Sequence, residues 1–220
     1  MKRGVMYTPS HFKQEDVSAV HEMMRLIGFV SLVTNTAHGL IATQAPILFD
    51  PSEGDYGIIR GHIARANSQW KEILVSREAL AIFTGPSAYI SPNWYAAKRE
   101  HGKVVPTWSY IAIHAYGEIA FSEDRDKLLD IVTRLTDVHE SSFEHPWKVS
   151  DAPVDYIEAM LKAIIAFEMK ITRIESSWKL SQNRSEADRA GVLAGLRDRR
   201  EAVLKEMERL YALPLSDKKS

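Results

Sequence analysis

The chain has 220 residues, 45% of them hydrophobic and 26% charged, with 28 Lys and Arg against 29 Asp and Glu for a formal charge of −1. This balance provides for a full apolar core and argues against a protein that coats nucleic acid by bulk electrostatics. Cysteine is absent, so disulfides, thiolate nucleophiles and Cys-ligated metals are excluded.

The opening MKRGVMYTPSHF carries two basic residues with no apolar run behind them, unlike a signal peptide. No stretch approaches the ~20 apolar residues of a membrane span, so a soluble cytoplasmic protein is the expectation. Residues 1–13 read as irregular, with Phe12 as an anchor to the core and Tyr7 or His11 as groups that reach a site. Glu15 to Ile27 has Val17, Val20, Met24 and Ile27 at helical spacing, with acidic residues in the first turn and Gly28 as the cap.

FVSLVTN, residues 29–35, alternates and is rich in β-branched residues, which predicts a strand. Thr36 to Gly39 is a tight turn and Leu40 to Phe49 the return strand, with Pro46 at an edge or bulge. Thr43 and Gln44 are polar residues in its middle. Tyr56 to Ala64 is a third strand whose two-residue period puts Arg60, His62 and Ala64 on one face and Gly61 and Ile63 on the other. Asn67 or Ser68 then caps a short helix reaching Val75. Ala79 to Phe83 is an apolar strand, interrupted by Gly85-Pro86 before Ala88-Tyr89-Ile90. Ser91 to Val104 is a loop with a helical turn and a basic run, Lys98, Arg99, His101 and Lys103.

Residues 106–121, PTWSYIAIHAYGEIAF, alternate strongly. Trp108, Tyr110, Ala112, His114 and Tyr116 share one face, an aromatic surface that suits either a planar ligand or a packed aromatic core. Glu123 to His139 and Pro153 to Ala163 are helices, and Ile164 to Glu175 is a sixth strand. WKLSQNR, residues 178–184, is polar and dense in donors, with capping of the last helix as its plain role. Residues 185–211 are helical in pattern, with Arg197 to Arg200 as a place where the helix breaks in two. Six strands with antiparallel connections predict a closed barrel with peripheral helices. The expected domains are 1–184, a barrel with an N-terminal helix and inserted helices at 123–163, and 185–220, a helical extension.

Among catalytic motifs, HExxH, GxSxG, GxxxxGK[ST] and GxGxxG are all missing. The stretch GHIARANSQWK, residues 61–71, runs from a strand through a polar turn into a helix and offers Arg65 and Lys71 as cations. That geometry suits an anion, and equally a capped corner with a solvated Arg65.

Five blocks, in order, carry a family resemblance: MYTPSHF, GHIARANSQW, GPSAYISPNWY, VPTWSYIAIHAYG and WKLSQNRSEADRAGV. Over nearly the whole chain they resemble the PaiB-like family, the FMN-binding negative transcriptional regulators. The resemblance implies a six-stranded antiparallel split β-barrel of Greek-key type, similar to pyridoxamine-phosphate oxidases and small flavin reductases. It also implies a homodimer that binds FMN at the subunit interface. His62, Arg65 and Asn67 would lie at the flavin phosphate and ribityl chain, with Lys71 on the adjoining helix. Thr43 and Gln44 would meet the ring edge. Trp108 and His114 would line the interface from one subunit, and Lys179, Gln182 and Asn183 would reach in from the other. Where other split barrels often place a Lys or His three residues before the Asn, this chain has Ala64.

Three functions follow as expectations. One is a flavin-dependent redox or redox-sensing protein. Another is a transcriptional repressor that contacts DNA through the basic loop 98–103. The third is a haem-binding split barrel with His62 or His114 as the axial ligand.

Overall fold

The structure, a computed structural model, describes residues 5–73 and 78–211, with side chains through residue 199. After a 3-10 turn at Ser10–Phe12 that buries Phe12, the elements are α1 (Val17–Ile27), β1 (Phe29–Thr36), β2 (Gly39–Asp50), β3 (Ile58–Ala64), α2 (Gln69–Glu72), β4 (Glu78–Ile90), α3 (Ala96–Glu100), β5 (Thr107–Ser122), α4 (Arg125–Glu140), α5 (Val154–Leu161), β6 (Ile164–Lys179) and α6 (Glu186–Tyr211). The six strands close a barrel in the order β1-β2-β3-β6-β5-β4, the architecture expected from the sequence.

Local chemistry accounts for the ends of two of the longer helices and for a changeover in β2. Asp16 caps α1, its carboxylate accepting from the Ser18 and Ala19 amides, and Gly28 ends the helix at φ 56°. Asp124 caps α4 in the same way through the Asp126 and Lys127 amides. β2 serves two partners: Gly39–Pro46 pairs with β1, and Ile47–Asp50 pairs with β3. Pro46, which has no amide hydrogen, stands at the changeover, where losing a ladder donor costs least.

Most element ends fall within two residues of expectation, and four differences are larger or of another kind. β4 runs through Gly85-Pro86 without interruption. The helix after Asn67 has only four residues, and the expected end at Val75 lies outside the described residues. β6 extends four residues beyond Glu175. α6 is one helix from Glu186 to Tyr211, with no break at Arg197.

The chain divides into two compact units, residues 1–85 with 111–178, and residues 86–110 with 179–220. The expected boundary at 184 falls inside the second. In the first unit the barrel interior is filled by Leu32, Ile47, Ile59, Ile63, Phe83, Ile113, Phe167 and Met169, among others. A separate apolar layer forms outside the wall, where Leu128, Ile131 and Leu135 of α4 and Leu161 of α5 meet Leu48 and Ala166. Along β6 the residues packed in the interior are 165, 167, 169 and 171, and then Ile174. The alternation therefore slips by one at Thr172–Arg173. In the second unit Ile90, Tyr95 and Val192 form the buried centre, Asp188 of α6 accepts from the Ala97 amide, and the Arg184 guanidinium lies 4.7 Å from the Tyr95 ring centroid.

Candidate ligand-binding site

The turn after β3 is built on a residue the sequence did not single out. Gln69 is fully buried. Its amide nitrogen donates to the Leu32 carbonyl at 3.1 Å and to Thr34 Oγ1 at 2.9 Å, and its side-chain oxygen accepts from Thr43 Oγ1 at 2.5 Å. Asn67 Nδ2 donates to the same threonine oxygen at 2.7 Å, and Asn67 Oδ1 accepts from the Gln69 backbone amide at 3.0 Å. Thr43 and Asn67, both expected to face a ligand, are thus joined to each other and to the end of the barrel core. Gln44, the next residue along β2, faces outward and exchanges hydrogen bonds with Ser31 Oγ. Neighbouring strand residues point to opposite faces, so Thr43 and Gln44 do not line one surface.

Arg65 is clasped by the connection between α5 and β6. Its amide donates to the Ala163 carbonyl at 2.8 Å, and its Nε donates to the Lys162 carbonyl at 2.6 Å. A longer contact of 3.4 Å reaches the Ile164 carbonyl, and the remaining edge of the guanidinium is paired with the Glu123 carboxylate. Lys71 is exposed, its ammonium 5.0 Å from the centroid of the Trp70 ring. The Trp70 indole in turn donates to the Arg65 carbonyl at 3.0 Å.

The two histidines are different. His62 lies on the outward face of β3 with Arg60, as its alternation predicts. Its Nδ1 is buried without a hydrogen-bond partner among the described residues, and burial pushes the imidazole below the ordinary histidine range. His114, on the outward face of β5, has the same two properties. Burial is again the main cause of its lowered pKa, opposed by the Glu175 carboxylate and reinforced by Arg173. Around it stand Tyr116, whose ring carries the Arg173 guanidinium 3.6 Å from its centroid, and Glu175, which is paired with Arg173 and accepts from the Met6 amide at 2.8 Å.

These histidines occupy opposite ends of the barrel wall. His62 pairs across to Ala166 of β6. His114 lies beside the Arg173–Glu175 stretch of the same strand, since Thr172 Oγ1 reaches the Tyr116 carbonyl at 3.3 Å. Seven or so residues of strand separate them, roughly 20 Å. Thr43, His62, Arg65, Asn67 and Lys71 therefore gather at one end and His114 at the other.

The remaining expected site residues belong to the second unit. Trp108 is 55% exposed and packs edge-on against Tyr89. Lys179 donates to Thr107 Oγ1 at 2.7 Å, Gln182 Oε1 accepts from the Leu180 amide at 2.7 Å, and Asn183 is exposed. In the basic loop, Lys98 is bonded to the Asn93 side chain, and His101 Nδ1 accepts from the Lys103 amide at 3.0 Å. No helix among the described residues is long and apolar enough to cross a membrane.

An absent flavin can be tested against this chemistry. An uncharged heterocycle edge needs hydrogen-bonding groups that are already desolvated and unsatisfied, which His62 Nδ1 and His114 Nδ1 are. A phosphate needs a held cation, and Arg65 is held by carbonyls. The four-residue α2 adds no dipole of consequence. The residues fit the group through side chains, not through a helix end.

Comparison with known proteins agrees with the fold. Residues 6–173 match the family described as Putative FMN-binding domain. The chain is 33% identical over 205 residues to Protease synthase and sporulation protein PAI 2 of Bacillus subtilis, covering 93% of this chain and 96% of that one. It is 34% identical over 186 residues to the uncharacterized protein AN0679 of Emericella nidulans, covering 73% and 74%. Among solved structures, the conserved hypothetical protein Rv2991 of Mycobacterium tuberculosis superposes with a TM-score of 0.56 at 6% identity, over 82% of this chain and 95% of that one. The FAD and Heme binding protein of Mycobacterium smegmatis superposes at 0.52 and 9% identity, over 81% and 78%. With most of its length inside one family model and a full-length relative at one-third identity, this chain belongs to the FMN-binding split-barrel family that includes PAI 2.

Proposed function

We propose that this protein binds FMN non-covalently at a site shared by two copies of the chain and uses it in a redox or redox-sensing role. The observation that carries this reading is the pair of desolvated, unpartnered imidazole nitrogens of His62 and His114 at opposite ends of one barrel wall. One chain cannot bring them to one small ligand; two chains related by a twofold axis can. The outer face of β1, β2 and β4 supports a second copy: Val33 stands between Ala42 and Leu80, flanked by Phe29 and Leu40, which are 52% and 77% exposed. These apolar residues share the face with Ser31, Asn35 and Gln44, a mixed surface of the kind that interfaces use. FMN, when bound, supplies electron or hydride transfer. The protein's part is to place the ring beside neutral histidines, to hold the phosphate at Arg65 with Lys71 nearby, and to exclude water.

Absorbance spectra of the protein purified with and without added FMN test the cofactor, and sedimentation tests the dimer. Flavin bands in a dimer are expected. A Soret band would favour haem, and failure to bind either ligand at micromolar concentration would end the proposal. Arg65→Ala with Lys71→Ala is expected to abolish FMN retention while leaving the dimer intact; retention unchanged by the pair would move the phosphate elsewhere.

A second reading, negative transcriptional regulation through DNA contact, has one supporting observation. Lys and Arg outnumber Asp and Glu by 13 to 8 in the second unit, against 15 to 21 in the first. Opposite charge balance in the two units suits a polyanionic partner for the basic one. A gel shift with genomic DNA that weakens as salt rises would support it.

A further inference from the structure

Arg65 has two kinds of partner, and they differ in permanence. The Lys162 and Ala163 carbonyls are backbone groups, fixed by the chain between α5 and β6, and they hold the residue through its Nε and its amide. Glu123 is a side chain on the short connection between β5 and α4, 58% exposed, and it pairs with the outer edge of the guanidinium. The carbonyls therefore keep Arg65 oriented whether or not Glu123 is present. The carboxylate occupies the edge of the guanidinium that the carbonyls leave to it.

We infer that Glu123 is a specificity-determining residue that competes with the ligand's phosphate for Arg65, so that flavin is held as an exchangeable ligand and not as a permanent group. This rests on the reading of Arg65 as the phosphate-binding cation. A carboxylate on a guanidinium presents two anionic oxygens much as a phosphate does. The phosphate must replace it, because two anions on one exposed guanidinium edge repel each other. Replacement is easy, since a solvent-facing ion pair contributes little net stability, and reorienting Arg65 costs nothing further because the carbonyls stay. A flavin without phosphate makes no demand on this edge, so Glu123 bears on phosphorylated flavins only. The neighbouring acids do not substitute for it: Asp124 caps α4 through two amides, and Asp126 is paired with Arg125.

The test is titration of the full-length protein with FMN and with riboflavin, followed by flavin fluorescence. Glu123→Gln keeps the shape and removes the charge, and Arg65→Gln is the control. Glu123→Gln is expected to bind FMN about fivefold more tightly, the scale of an exposed ion pair, to release it correspondingly more slowly, and to bind riboflavin as before. Glu123→Ala, with the same sign, guards against an effect of the new amide. If FMN affinity is unchanged or weaker in Glu123→Gln while Arg65→Gln selectively loses FMN, the competition is refuted and the phosphate site stands. Equal tightening toward both flavins also refutes it. If Arg65→Gln leaves the ratio of FMN to riboflavin affinity unaltered, the phosphate reading itself falls, and the inference with it.

Discussion

Two sets of polar side chains on the barrel are opposite in character. At the barrel end, Gln69, Asn67, Thr43 and Thr34 form a closed network in which each side chain has a partner. On the outer wall, His62 and His114 each carry a buried Nδ1 that has no hydrogen-bond partner among the described residues. Polar groups that satisfy one another hold a structure in one arrangement. Those buried and left open are costly unless something else completes them. The network is scaffold and the histidines are where the chain is incomplete, although Asn67 and Thr43 look as much like ligand groups in the sequence as the histidines do.

Breaking the scaffold should have the largest effect. Gln69→Leu fills the space but strands the Thr34 and Thr43 hydroxyls and the Leu32 carbonyl, and a loss of about 3 kcal/mol in urea unfolding is expected. Gly61 offers a second attack on the frame, one residue from His62. A Cβ there would lie 2.6 Å from both the Phe167 ring and the Pro46 carbonyl, so Gly61→Ala should cost about 2 kcal/mol. The opposite outcome is expected on the wall. His62→Gln and His114→Gln should change stability by less than about 1 kcal/mol, yet each should weaken FMN binding about tenfold, near the worth of one hydrogen bond in a desolvated site. Should Gln69→Leu spare the fold while either histidine variant unfolds it, the roles assigned to the two regions would be reversed.

The smallest effect is on pH dependence. For both histidines the folded-state pKa is depressed, chiefly by burial, below the ordinary 6.5. Below that ordinary value the unfolded chain takes up protons that the folded chain refuses, so stability is full above it and declines as pH falls toward the folded pKa. His21 adds to the same slope, its pKa lowered by burial and then by Arg25. Melting temperatures measured between pH 7.5 and 5.5 should fall, and should fall less in His62→Gln or His114→Gln. An unchanged slope in both variants would show that these imidazoles are not held neutral.

Much of the fold was legible because alternation and capping are local. The odd-numbered residues of β5 from Ile111 to Ala115 are buried, while Trp108, Tyr110, His114 and Tyr116 face out, as a two-residue period requires. Arg60, His62 and Ala64 shared a face for the same reason. Site membership was less legible, because it depends on long-range partners. Nothing near Arg65 in sequence announces Glu123, 58 positions away. Gln69 escaped notice because a buried glutamine in a polar turn resembles an exposed one until Thr34 and Thr43 are folded onto it. Asn67 or Ser68 was readable as the turn residue before the helix, where Ser68 holds the cap position and Asn67 accepts from the Gln69 amide, but the second bond of Asn67 to Thr43 was not. One missed feature did leave a trace: in IIAFEMKITRIE the apolar residues move from odd to even positions after Ile171, and two consecutive polar residues mark the place.

That slip in β6 acts as a phase shift along a single strand. Upstream of it, Phe167, Met169 and Ile171 point inward; downstream, Ile174 takes the inward place and Arg173 and Glu175 are turned out. Were the phase continuous, Glu175 would be carried into the apolar interior and Ile174 into water. Deleting either Thr172 or Arg173 would leave an unbroken two-residue alternation with Ile174 still inward and Glu175 still outward, so it should be tolerated better than a deletion elsewhere in the strand. With that slip the same strand lines the barrel over its first half and presents a charged flank to His114 over its second.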